Sequence, residues 1–169
     1  MGQKKTLRKE HKKARRVQLN NAILKALQDH RDVVRRVQKR TTVWVTIRFI
    51  CAVALFGMGI SGYLDLDATA AGDLIFSVAG AFLLSSLLCQ GMRIFAWLIL
   101  AGTAYSIANF LLSLGRIGPY LVHSPVLILS MGVMILDIVA SLVVMILLIR
   151  DPGYKALAAE RKQIHDTIR

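Results

Sequence analysis

Cysteine and acidic side chains are scarce in this chain, and glycine and proline are absent from one long basic stretch. Two cysteines among 169 residues, Cys51 and Cys89, are too few for a disulfide-stabilised scaffold. Both lie in apolar segments without neighbouring bases, so we interpret them as small packing residues. Between Lys12 and residue 43 there is no glycine or proline, so that stretch contains no local helix breaker.

The sequence also lacks the short motifs that accompany common enzyme chemistry. It contains no HExxH, no CxxC, no GxSxG and no phosphate-binding loop. The four histidines are spread over the N-terminal arm, a loop and the C-terminal tail, at His11, His30, His123 and His165. We therefore expect a protein that is not an enzyme and that has no cofactor and no metal site.

Positive charge is concentrated at the N-terminal end of the chain. Residues 1–42 contain fourteen Lys or Arg and three acidic residues, whereas the whole chain has 22 basic and 10 acidic residues. From Val17 onward, apolar residues recur at helical spacing with Lys and Arg opposite them, which predicts a basic amphipathic helix. The basic residues expected to bind lipid or a partner are Lys4, Lys5, Arg8, Lys9, Lys12, Lys13, Arg15, Arg16, Arg35, Arg36, Lys39 and Arg40.

Three kinds of partner are open for this basic arm. The anionic head groups of the inner leaflet attract Lys and Arg by about 1 kcal/mol per residue, and this is the interpretation we favour. Docking to a partner protein is the second. Nucleic acid is the third, but the arm has no aromatic residue to stack on a base, so we expect no specific nucleic-acid binding.

Four apolar blocks follow the arm, at about residues 43–63, 74–90, 94–114 and 126–149. The last block has about 24 residues and measures roughly 36 Å as a helix, enough to cross a bilayer core of about 30 Å. Pro125 is suited to begin this helix, and Asp151-Pro152-Gly153 is suited to end it. Residues 64–73 and 115–125 are the expected loops on the far side.

The charges of the loops predict how the helices are oriented, and small residues within the helices predict that they pack closely. The arm, the turn at Arg93 and the tail from Arg150 are basic, whereas Arg116 is the one Lys or Arg residue in the two far loops. By the positive-inside rule, both termini are expected in the cytoplasm. Small residues favour close helix packing within one chain or between chains, and they occur at Gly57, Ser61, Ser77, Ala81, Ser85, Cys89, Gly102 and Ser106.

One acidic residue, Asp137, lies near the middle of the last apolar block, where a charge costs about 2.5–3.5 kcal/mol on insertion scales. Helix rise places Ser106 and Asn109 at a similar depth, and Ser141 shares the face of Asp137. We expect Asp137, Asn109, Ser106 and Ser141 to form an intramembrane polar cluster in which Asp137 is largely protonated unless a cation or water reaches it. Arg48 is expected about 7.5 Å above the inner membrane edge, so we favour a side chain that reaches back to the cytoplasm over the alternative, an ion pair with Asp137.

Two roles for Asp137 remain open at this point. It is either a structural hydrogen-bond donor that joins the third and fourth apolar helices, or a carboxylate that binds a proton or cation in a transport path. The first role requires only hydrogen-bond partners on the neighbouring helix. The second requires access from solution.

Together these features predict an all-α integral membrane protein. The expected fold is an antiparallel four-transmembrane-helix bundle with an N-terminal basic amphipathic helix and a short C-terminal cytoplasmic helix. The expected divisions are the arm at 1–42, the transmembrane domain at 43–150 and the tail helix at 151–169. We expect a multi-pass protein of a cell membrane that acts as a non-enzymatic interaction or accessory component. It would contact membrane lipids and either another membrane protein or itself; the alternative is a small proton- or cation-coupled transporter or channel that uses Asp137.

Overall fold

Six helices account for nearly all of the described chain. The computed structural model describes residues 2–61, 68–121 and 124–168; the side chains of 2–9, 11, 12, 68–70, 113 and 116–121 lie outside this description. Within it there is no strand. The helices are α1 (Gly2–Asp29), α2 (Arg31–Ile60), α3 (Ala68–Cys89), α4 (Arg93–Leu121), α5 (Pro125–Arg150) and α6 (Pro152–Ile168).

Four of these helices are long and apolar enough to cross a membrane, as the four apolar blocks predict. The candidate spans are Arg31–Ile60, Ala71–Cys89, Arg93–Leu112 and Pro125–Arg150. The all-helical class and the number of candidate spans are therefore confirmed.

Both ends of α5 form as the sequence predicts. Ser124 precedes the helix in an extended conformation, and its hydroxyl accepts a hydrogen bond from the Leu127 N–H at 3.4 Å, while Pro125 occupies the first turn. At the other end, Asp151 is extended (φ −62°, ψ 116°) because the residue before a proline avoids the helical region. Its carboxylate then caps α6, accepting from the N–H groups of Gly153 at 3.0 Å and Tyr154 at 3.3 Å.

The helices extend beyond the apolar blocks. α2 begins at Arg31 and passes through the boundary placed at residue 42 without interruption. α3 begins at Ala68, inside the expected loop 64–73, of which residues 64–67 lie outside the described chain. α4 continues to Leu121 through the expected loop 115–125, and Pro119 lies within its last turn. Backbone hydrogen bonding continues where hydropathy falls, so apolar runs underestimate helix length.

The basic arm is interrupted at His30, although the stretch contains no glycine or proline. His30 has φ −101° and ψ 30°, while the hydrogen bonds from its N–H to the Ala26 carbonyl and from the Val34 N–H to its own carbonyl are kept at 3.0 Å. Its side chain lies 2.8 Å from Glu160 of α6. A tertiary contact therefore accompanies the irregularity between α1 and α2.

The buried core sits at one end of the spans, where α6 packs against α1 and α2. α2 contacts both α3 and α5, and α4 contacts α5, whereas α3 and α4 share few contacts. The largest fully buried side chains include Trp44, Met145, Leu148, Tyr154 and Leu157. The tail helix thus completes a core shared by the arm and the spans.

Two glycines, one in the first turn of α6 and one packed against that helix, are required by their surroundings, and two in the spans are not. Gly91 has φ +79° in the α3–α4 turn, close to Leu157, and a Cβ on Gly153 would lie 2.9 Å from Val33. By contrast, a Cβ on Gly57 or Gly102 would meet none of the described atoms within 4 Å. Close packing at Gly57 and Gly102 within one chain, one of the two possibilities raised by the small-residue pattern, is therefore not seen among the described residues.

Candidate functional site

A row of polar contacts joins α2 to α5 at three successive helical turns. Arg40, Trp44 and Arg48 are four residues apart on α2 and so lie on one face. Arg40 binds Asp151 at 2.8 Å, the Trp44 Nε1–H donates to the Ser141 hydroxyl at 2.9 Å, and Arg48 binds Asp137. We call this row of contacts the polar seam. It brings the intramembrane carboxylate to α2, not to α4.

Arg48 and Asp137 form a two-pronged ion pair. Arg48 donates from Nε to the two carboxylate oxygens at 3.1 and 3.3 Å and from Nη2 at 2.9 Å. Their side chains are 23% and 24% exposed. The guanidinium also lies 5.3 Å from the centre of the Trp44 ring, within the range of a cation–π contact. Because one face is held by an aromatic ring and one edge by a carboxylate, Arg48 is oriented within the spans.

The expectation that Arg48 reaches to the cytoplasm is therefore wrong, and so is its physical basis. The depth estimate began at residue 43, but Arg40 is already level with Leu147 and Asp151, to which it donates hydrogen bonds. Arg48 lies eight residues beyond Arg40, about 12 Å, and Asp137 lies ten residues before Leu147, about 15 Å. The two charges are consequently at similar depth. The expectation of a largely protonated Asp137 assumed no cation nearby, and the structure places one there.

Two cavities with polar walls flank this ion pair. The larger polar cavity, about 320 Å³, extends toward the Gly91 turn and is lined by Arg48, Leu84, Leu98, Ile99, Gly102, Thr103, Ser106, Asp137, Ile138 and Ser141. The smaller polar cavity, about 180 Å³, extends the other way and is lined by Arg48, Cys51, Ala52, Leu55, Leu74, Ser77, Ser106, Val133, Met134, Asp137 and Ile138. Arg48, Ser106 and Asp137 border both cavities, so the pair stands between them.

The predicted polar cluster is assembled only in part. Asp137 and Ser106 line the same two cavities, and Ser141 lines the larger one. The Ser106 hydroxyl, however, donates to the Gly102 carbonyl of its own helix at 3.1 Å. Asn109 is exposed and lines neither cavity. Sequence reasoning missed Trp44, whose spacing of four from Arg40 and Arg48 was the available signal.

The basic residues of the arm differ in their surroundings. Arg40 is partly buried against Asp151, so it is engaged within the chain. The side chains of Lys4, Lys5, Arg8, Lys9 and Lys12 lie outside the described residues. The exposed members are Lys13, Arg15, Arg16, Arg35, Arg36 and Lys39. Binding of lipid or a partner by this set stays a prediction.

Asp151 links the polar seam to the tail helix. Its side chain is 6% exposed. Burial opposes the charged form, but the hydrogen bonds from the Tyr154 N–H and from Arg40 outweigh it, so the pKa of Asp151 is lowered from the usual value. An ionised carboxylate here fixes α6 at the end of α5.

Three arginines at this end of the molecule donate to carbonyl groups at the ends of spanning helices. Arg40 donates to Leu147 and Arg93 to Ile149, each at 3.3 Å, and Arg161 donates to Gln90. Cations at helix C-termini satisfy free carbonyls and oppose the helix dipole. Burial lowers the pKa of Arg161 and raises that of Tyr154, whose hydroxyl has no partner among the described residues. We interpret this arginine cluster as structural, because its N–H donors bind backbone carbonyl groups.

Comparisons with other proteins add no assignment. No protein-family model, curated protein or solved structure matches this chain. Across residues 2–61, 68–121 and 124–168, as far as their side chains are described, no group of three or more His, Cys, Asp or Glu is placed to hold a metal ion. Functional interpretation therefore rests on the polar seam, its two cavities and the basic arm.

Proposed function

We propose that the four candidate spans form an antiparallel bundle in a cell membrane with both termini in the cytoplasm. This placement is supported by the basic residues at the α6 end of the molecule. They include Arg93, Arg150, Lys155 and Lys162 in addition to the arm. The many exposed large apolar side chains of α2 to α5 would face lipid in this arrangement.

Within that membrane, we propose that the protein is a non-enzymatic component that presents its basic arm to the anionic inner leaflet. One observation carries this proposal. Every described side chain from Lys13 to Gln18 is exposed, whereas Leu19 is partly buried and Ala26 is buried. Residues 13–18 of α1 therefore lie outside the part of this helix that is packed in the core, while the residues from Leu19 onward fix its position.

A lipid surface is favoured over a protein partner because of the composition of the N-terminal half of α1. It is rich in Lys and Arg and has no aromatic residue, which suits phosphate head groups spread over a plane. An accessory role toward another membrane protein remains compatible with the same arm. The test must therefore separate the two.

The test measures how close the arm lies to the bilayer in reconstituted full-length protein. A spin label at Gln18→Cys should approach the lipid head groups in vesicles that contain phosphatidylglycerol, and should leave them at high salt because screening weakens the attraction. The variant Lys13→Gln/Arg16→Gln should reduce this approach. The matched control Lys155→Gln/Lys162→Gln removes two exposed charges from α6 and should not. A label position independent of lipid charge would overturn the lipid proposal and favour a protein partner.

A proton-coupled transporter is the second candidate function, favoured by the position of Asp137 between two cavities. A metal cation is less suited to this site, because it would displace three hydrogen bonds from Arg48. In proteoliposomes, Asp137→Asn should abolish a pH-driven flux that Asn109→Ala retains. Equal flux with both variants, or none with the wild type, would contradict this candidate.

A further inference from the structure

The larger polar cavity contains hydrogen-bond donors without acceptors. The Nε and Nη2 atoms of Arg48 donate hydrogen bonds to Asp137, whereas Nη1 has no hydrogen bond to the residues the structure describes. The Ser141 hydroxyl accepts from Trp44, so its own hydrogen is available to donate. Both side chains line this cavity. Two donors, one of them charged, thus border one space.

The cavity is suited to polar contents of small size. In hydrocarbon, an ion pair that is about a quarter exposed would be costly, so lipid chains are poor occupants. A volume of about 320 Å³ corresponds to about ten waters at roughly 30 Å³ each. A small anion with part of its hydration shell fits the same space.

The charges around the cavity determine which ligand can bind. Among the described lining residues, Leu84 of α3 and Thr103 and Ser106 of α4 are uncharged, and the Cys51 thiol of α2 is the one titratable group besides the ion pair, on its far side. Arg48 and Asp137 are therefore the charged groups in both linings, and together they are neutral. An anion added to the intact pair leaves one uncompensated negative charge, which a proton on Asp137 removes.

From this geometry we propose that the larger polar cavity binds a small monovalent anion, such as chloride or a short carboxylate, at Arg48 together with one proton on Asp137. The carboxylate takes up a proton from water, its ion pair with Arg48 loosens, and the anion replaces it as the counter-ion of the guanidinium. No covalent bond other than the O–H bond changes, and the net charge of the site stays zero. The proposal concerns equilibrium binding and depends neither on the role of the arm nor on any flux.

The test is anion-dependent thermal stability of the full-length protein in detergent. Acetate or chloride would be titrated at constant ionic strength against lactobionate, an anion too bulky for the cavity. The apparent dissociation constant for this stabilising anion should weaken by up to about tenfold for each unit of pH increase, since one proton is linked to binding. The response of the wild type to the anion should therefore be stronger at pH 5 than at pH 8.

Variants separate the site from general salt effects. Asp137→Asn mimics the protonated carboxyl, so its anion response should persist with little dependence on pH. Arg48→Gln should lose the response, and Asn109→Ala, exposed and outside the cavity lining, should keep that of the wild type. If Arg48→Gln alone does not fold, the neutral double variant Arg48→Gln/Asp137→Asn must lack the response that Asp137→Asn shows. A response retained without Arg48, or an unchanged pH dependence in Asp137→Asn, would overturn the proposal.

Discussion

The ion pair between Arg48 and Asp137 is the contact whose removal has the most informative energetic consequence. Removing one partner of a fully buried ion pair lowers the free energy of unfolding by about 3–5 kcal/mol, and a hydrogen bond to a charged group contributes about 1.5–3 kcal/mol to it. This pair is about a quarter exposed and borders two cavities, so water can reach the remaining charge. Polar contacts between membrane helices measure about 0.6 kcal/mol on average and about 1.7 at most. We expect a coupling energy of about 1–3 kcal/mol.

A double-mutant cycle measures this coupling directly. Asp137→Asn should lower the free energy of unfolding by about 2 kcal/mol, because it leaves the Arg48 charge without its counter-ion. In an Arg48→Gln background, the same change should cost much less. The assay is unfolding in mixed detergent–dodecyl sulfate micelles, followed by helix content at neutral pH.

The control and the refuting result are equally specific. Asn109→Ala changes an exposed polar residue of α4 and should alter the free energy of unfolding by less than about 0.5 kcal/mol. If the Arg48 and Asp137 substitutions were additive within about 0.5 kcal/mol, the two residues would not be coupled. The arrangement of α2 against α5 described above would then be refuted.

Three further predictions concern the buried end of the molecule. Ser141→Ala should lower the free energy of unfolding by about 1–3 kcal/mol, because the N–H of the fully buried Trp44 would lose its acceptor. Thermal unfolding measures this change, and an unchanged unfolding midpoint would contradict the hydrogen bond. Asp151 has a pKa lowered from 3.8, so its stabilising effect is complete above that value and is lost as pH falls through the lower native pKa. The stability difference between wild type and Asp151→Asn should therefore be full at neutral pH and shrink in strong acid, and a difference that grows on acidification would refute the assignment. Gly153→Ala should lower the free energy of unfolding by about 1–3 kcal/mol, because its Cβ would lie 2.9 Å from a valine methyl of α2. In the same assay, the control Gly132→Ala should leave this free energy unchanged or raise it by up to about 1 kcal/mol, because no described atom lies within 4 Å of its Cβ.

Local sequence patterns determined the helical class, the four candidate spans and both ends of α5. Hydropathy over about 20 residues is sufficient to predict a span, and Ser124-Pro125 and Asp151-Pro152 act through their own backbone geometry. The concentration of basic residues in the arm is likewise a property of composition alone. These features need no knowledge of which helices are neighbours.

Only the tertiary structure decided the partner of Asp137. Its depth relative to Arg48 depends on how α2 and α5 are aligned, and an error of three or four residues at the assumed membrane edge shifts the estimate by about one helical turn, roughly 5.4 Å. The hydrogen bonds from Trp44 to Ser141 and from Arg40 to Asp151 fix that alignment. The irregularity at His30 was also beyond sequence, since it accompanies a contact with Glu160, 130 residues away. Helix formation is local, whereas the pairing of charges depends on packing between distant segments.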